Sequence, residues 1–134
     1  MNKKILWLGL AAISIIIFIT GCCAPIMPAI GLAPVDEIDI LILESFPVQV
    51  LAIASGNLPD PCTEISEVLQ EREGDTFFIT IKTYRPPSPC IQILAPFEEI
   101  IPLEVYGLLA GTYTVDVNGV QATFDLEVDN IISN

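Results

Sequence analysis

The stretch TYTVDVNGVQATFDLEV, residues 112–128, decides how the rest of the chain is read. Polar and apolar residues alternate on both sides of Asn118-Gly119, and a period of two is the mark of a half-buried strand. Asn-Gly is the strongest two-residue hairpin signal, because a type I′ turn needs positive φ at both central positions. With the turn placed there, Val117 stands opposite Val120, Val115 opposite Ala122, Tyr113 opposite Phe124 and Gly111 opposite Leu126. These pairs share one face. Thr112, Thr114, Asp116, Gln121, Thr123, Asp125 and Glu127 share the other. The register is thereby set, since a slip of one residue turns the polar set into the core.

Working outward, short alternating or apolar runs are separated by Pro, Gly, Asn and Asp, the pattern of an all-β sandwich or barrel. Strands are expected at 37–44, 48–55, 63–72, 76–84, 90–94, 98–106, 112–118 and 120–128. Pro47 interrupts the first two, which read as two strands or as one kinked edge strand. TEISEVLQERE, residues 63–73, has high helix propensity, so a helix over 64–72 stays open beside the strand. The strand is preferred because TFFITIKTY, 76–84, is plainly one and EGD, 73–75, supplies a hairpin turn between them.

GLLAGTYTV, residues 107–115, resembles the corner leading into the F strand of immunoglobulin-like domains, with Gly111 and Tyr113 at the matching positions. That resemblance implies an immunoglobulin-like β-sandwich over residues 35–130, in which the Tyr113 hydroxyl caps a neighbouring backbone group. Leu109 stands where antibody domains carry Asp, and Val115 where their second cysteine falls. The likeness is therefore to the broad class and not to antibody domains.

The N-terminus carries a different signal. MNKK is followed by fifteen apolar or small residues, ILWLGLAAISIIIFI at 5–19, and then by Thr20, Gly21 and Cys22. This is the layout of a secretory signal peptide. Ile19-Thr20-Gly21-Cys22 resembles the lipobox of bacterial lipoproteins at all four positions. The resemblance implies a diacylglyceryl group on the Cys22 sulfur and cleavage before it, so that residues 1–21 are a leader. An uncleaved membrane helix over 5–24 is the alternative. Residues 22–34 read as lipidated N-terminus and tether, because APIMPAIGLAP, 24–34, is proline-rich and uncharged. Extended, that segment lifts a domain by roughly 30 Å. The residue after Cys22 is Cys23, not the Asp associated with inner-membrane retention in diderm bacteria. The expected place is the cell membrane or outer membrane, facing the extracytoplasmic side.

Charge narrows the partners. The 134 residues hold five basic and 17 acidic side chains. Without residues 1–21, three basic side chains (Arg72, Lys82, Arg85) face all 17 acidic ones, a net of −14. Such a surface repels phosphate backbones, which argues against nucleic acid. It also repels anionic head groups, so attachment to a membrane must be hydrophobic or covalent. There is no histidine, which removes the Ser-His-Asp and Cys-His mechanisms and the usual catalytic zinc sites. Carboxylates cluster at Asp36/Glu37/Asp39, Glu98/Glu99 and Asp125/Glu127/Asp129. The single Trp, Trp7, lies in the leader, so no aromatic sugar cleft accompanies them. No EF-hand loop pattern occurs either. No enzyme activity, cofactor or metal is expected.

Cys62 and Cys90 flank the hairpin centred near Gly74. Its symmetry pairs position 62 with 87, three residues short of Cys90, and RPPSPC leaves enough slack to close a disulfide. Two proline-stiffened loops then meet at one end, 56–61 with Leu58 and Asp60, and 84–90 with Tyr84, Arg85 and Ser88. Stiff loops on a β-scaffold are common binding sites. The expected function is a membrane-anchored, non-catalytic binding or structural module whose partner is an envelope or extracellular protein. The alternative is an inhibitor of an extracellular protease that presents these loops.

Overall fold

The computed structural model describes residues 28–132. The leader, Cys22, Cys23 and the first part of the tether lie outside the described residues. Eight strands form two sheets, and no helix is present among the described residues. The strands are β1 (Ala29–Leu32), β2 (Val35–Leu43), β3 (Gln49–Leu58), β4 (Glu64–Glu73), β5 (Thr76–Arg85), β6 (Ala95–Pro102), β7 (Gly111–Val117) and β8 (Val120–Leu126). This is the all-β sandwich of seven to eight strands that the alternation predicts.

One sheet is the antiparallel ladder β2-β3-β6. The other is built around β5. One edge of β5 is taken by β4; the other edge is shared, with β7 along Thr76–Ile79 and β1 along Lys82–Arg85. The β5–β7 pairing is parallel, a departure from purely antiparallel sandwich sheets. β8 completes the sheet beside β7, in the register read from the Asn-Gly turn: Val117↔Val120, Val115↔Ala122, Tyr113↔Phe124, Gly111↔Leu126. Asn118 has φ 50° and Gly119 φ 94°, both positive as the turn demands.

The inner faces make one core. β5 contributes Phe77, Ile79 and Ile81, β3 contributes Val50, Ala52 and Ala54, and β7 contributes Tyr113, Val115 and Val117. Phe77, Tyr113 and Phe124 form an aromatic cluster with centroids 5.6–6.2 Å apart. The Tyr113 hydroxyl donates to the Leu109 carbonyl at 2.7 Å, the backbone cap implied by the Gly-x-Tyr corner. The sandwich is closed on both flanks. β2 approaches β8 on one side. On the other, the Gln70 side chain of β4 donates to the Pro102 carbonyl and accepts from the Glu104 amide.

Two expectations are corrected, and the alternative left open over 64–72 is decided. Glu64–Glu73 is strand, as preferred, and not helix, because pairing with β5 overrides helix propensity. Residues 90–94 are loop. Their apolar side chains suggest a strand, but Pro86, Pro87 and Pro89 and the Cys90 crosslink hold the segment outside both ladders. The sandwich also begins before residue 35. β1 is hydrogen-bonded to β5, and Ala33, 2% exposed, donates its amide to the Ile81 carbonyl. Beyond β1 the chain crosses to the other sheet over Gly56, where a Cβ would stand 2.1 Å from the Pro34 carbonyl oxygen. The tether placed at 24–34 therefore ends by residue 28.

Candidate functional site

The cysteine-bridged end of the sandwich is assembled by strand ends. Leu58 pairs with Ala95 and Glu64 with Tyr84, so the 58–63 connection and the 86–94 loop leave the two sheets side by side. Cys62 and Cys90 are bonded there, 6.3 Å apart at Cα. The β4–β5 ladder slips by one residue between Ile65 and Glu67, so the reach to Cys90 is made by the proline-rich segment 86–89, which leaves the ladder.

Asp60 organises this end. One carboxylate oxygen accepts from the Cys62 amide at 3.0 Å, the Thr63 amide at 2.9 Å and the Thr63 hydroxyl at 2.9 Å. The other lies 2.8 Å from Arg85 Nε in an ion pair. Burial acts to raise the Asp60 pKa. It is outweighed by the Thr63 hydroxyl, the Arg85 guanidinium and the Cys62 and Thr63 amides, which together hold the carboxyl below its ordinary value of 3.8. The chain from Pro59 to Thr63 is thus held in a capped turn directly before β4.

This geometry divides the sequence-derived site residues into two groups. Leu58 is 7% exposed and belongs to the core, and Asp60 is 3% exposed beneath Arg85. Neither is presented to a partner. Arg85 is half-buried and committed to Asp60. Tyr84 and Ser88 do reach solvent, and the disulfide brings the two loops together as expected. Sequence reasoning missed Ile91, Ile93 and Leu94, which stand exposed in the loop beside the bridge. The signal available was the absence of charge across PPSPCIQIL, residues 86–94. Reading 90–94 as strand hid it by assigning half of those side chains to the interior.

Asp60, Cys62 and Cys90 place their ligand atoms within 4.8 Å of one another. Both sulfurs are bonded to each other, so neither is a thiolate able to coordinate. The C-terminal acidic group is occupied locally: Asp125 accepts from the Thr112 hydroxyl, and Asp129 accepts from the Ala110 amide at 2.8 Å. Asp116 takes the Gly119 amide and the Gln121 side chain at the hairpin turn. The apolar depression at the other end, between Pro47–Leu51 and Pro102–Tyr106, contains Glu104 as its one ionisable carboxylate.

Comparison with known proteins agrees with the fold. The family model of the ORF11 beta-sandwich domain matches residues 52–126, from β3 to the end of β8. Over 93 residues the chain is 37% identical to the uncharacterized 10.2 kDa protein in the HgiCIIM 5′ region of Herpetosiphon aurantiacus, covering 69% of this chain and 98% of that relative. It is also 37% identical over 83 residues to the 10.2 kDa protein in the HgiBIM 5′ region of the same organism, covering 61% of this chain and all of the relative. No solved structure matches. The chain belongs to the ORF11 beta-sandwich domain family.

Proposed function

We propose that this member of the ORF11 beta-sandwich family is a lipid-anchored protein of the bacterial envelope, facing the extracytoplasmic side as a non-catalytic binding or structural module. The observation that carries the reading is Ile19-Thr20-Gly21-Cys22 at the end of an apolar leader, ahead of a sandwich crosslinked by Cys62–Cys90. Disulfides persist in oxidising compartments, so the crosslink supports export of the domain. Each buried CH₂ of an acyl chain contributes about 0.8 kcal/mol, and two or three chains together make a stable anchor for a body whose charge opposes adsorption. A binding role is supported by the lack of histidine and by carboxylates engaged in turns and caps.

The protease-inhibitor reading retains one observation. The Pro86–Pro89 segment is tied between the Asp60–Arg85 pair and the Cys90 crosslink, with Ser88 exposed, and a preorganised loop lowers the ordering cost of binding. Leu58 and Asp60 have no part in it, since both are buried. Stoichiometric titration of a protease panel tests it.

The anchoring is tested by Cys22→Ala in the native host. The variant is expected to leave the mature membrane-bound pool and to accumulate as unprocessed precursor. Normal processing and membrane retention of the variant would mean that residue 22 is not the anchor.

A further inference from the structure

The chain enters the sandwich at the cysteine-bridged end, and this end has its own composition. Ala29 pairs with Arg85, Val35 with Gly56, Leu58 with Ala95 and Glu64 with Tyr84, so the start of β1 shares the end with the 58–63 and 86–94 connections. Residues 28–35 and 86–95 contain no acidic or basic side chain. Ile30 is 78% exposed, Leu94 65%, Ile91 63% and Ile93 61%. Asp60, the one acid of the 58–63 connection, is turned inward onto Arg85. Asp36 and Glu64 stand exposed where the neighbouring strands begin. Clustered exposed apolar residues with a polar rim mark a surface that something covers.

What covers it follows from the length of chain ahead of β1. Six residues, 23–28, separate Cys22 from Ala29, and fully extended they reach at most about 20 Å. A domain held that closely cannot avoid the lipid surface. With a net charge of −14 past the leader, it meets the head groups favourably only through a tip whose connections expose no acid, with Asp36 and Glu64 held back at the rim. We infer that this end seats in the interfacial layer of the bilayer that receives the Cys22 acyl chains, with Ile91, Ile93 and Leu94 inserted and Ile30 beside them. The inference rests on the lipid-anchored reading above. The disulfide and the three prolines hold the loop in its exposed shape beforehand, so insertion orders little new chain.

The test uses the full-length acylated protein in phosphatidylcholine vesicles. The only tryptophan, Trp7, leaves with the leader, so a single introduced tryptophan reports alone. Ile93→Trp probes the seated end. Tyr106→Trp probes the opposite end, where Tyr106 is 63% exposed beyond β6. Emission from Ile93→Trp is expected to shift to the blue and to lose intensity when the lipid acyl chains are brominated, while Tyr106→Trp does neither. Intact mass of the same sample reads acylation separately. An acylated sample in which the two variants emit alike overturns the seating and leaves the anchor standing. A blue-shifted but unquenched Ile93→Trp means a protein surface covers the loop, a second copy included, and also overturns it. A sample without acyl mass removes the anchor and the inference with it.

Discussion

Asn118 does two jobs with one side chain. Its backbone takes the positive φ of the hairpin turn, and its amide repairs the edge of β5 between the end of β7 and the end of β1. The Ile81 amide donates to its Oδ1 at 3.0 Å, and its Nδ2 donates to the Ala33 and Ile81 carbonyls at 2.9 and 3.0 Å. Asn130, fully buried, acts similarly at the other end, bonding both polar groups of Val48 and the Val105 carbonyl. Asn118→Gly keeps the turn conformation and deletes the amide. It is expected to lose about 2 kcal/mol, from three hydrogen bonds of about 1 kcal/mol each partly recovered by water, read as a lower urea midpoint. The turn itself is legible in the sequence because Asn-Gly is local. The repair is not, since it depends on Ala33, 85 positions away. Asp60 gives a pH prediction. Its folded pKa lies below 3.8, so its contribution is present above that value and is lost as pH falls through the folded pKa. The stability gap between wild type and Asp60→Asn is expected to be full at pH 7 and to close below pH 3.8, as measured by denaturant unfolding across pH.

At the scale of elements, strands with clean alternation declare themselves. β5, β7 and β8 are legible because one face of each is buried and the other wet. β1 is not, because four exposed residues between prolines carry no periodicity and its pairing is wholly non-local. The β4 segment is ambiguous for a physical reason: as an outer strand it is mostly exposed, so its charged residues suit a helix surface equally well. The 86–94 loop is misread because an apolar run outside the core looks like one inside it. The crosslink between Cys62 and Cys90 was legible from hairpin symmetry, and its place beside an edge strand gives it a large role. Closing a loop of 28 residues stabilises by about 3.5 kcal/mol in the chain-entropy account. Cys62→Ser with Cys90→Ser is expected to lower unfolding free energy by about that amount and to leave the β-type circular dichroism in place. An unchanged midpoint would show that the bridge constrains nothing.

For the whole molecule, the sequence is legible in where charge and apolar residues fall along the chain. Acidic groups cover the outer faces of the sandwich, as with Asp116 and Asp125 of the final hairpin, whereas the stretch from Cys22 to Val35 has none. A partner's identity is not legible, because it depends on the shape of one exposed loop. We propose that fatty chains on the Cys22 sulfur hold this acidic sandwich outside the cytoplasm. It is tested most directly by intact-mass analysis of the protein extracted from membranes of its native host. The expected chain begins at Cys22, carries a diacylglyceryl adduct and is two hydrogens lighter for the Cys62–Cys90 bond. A chain that still begins at Met1, with no acyl mass added, would contradict it.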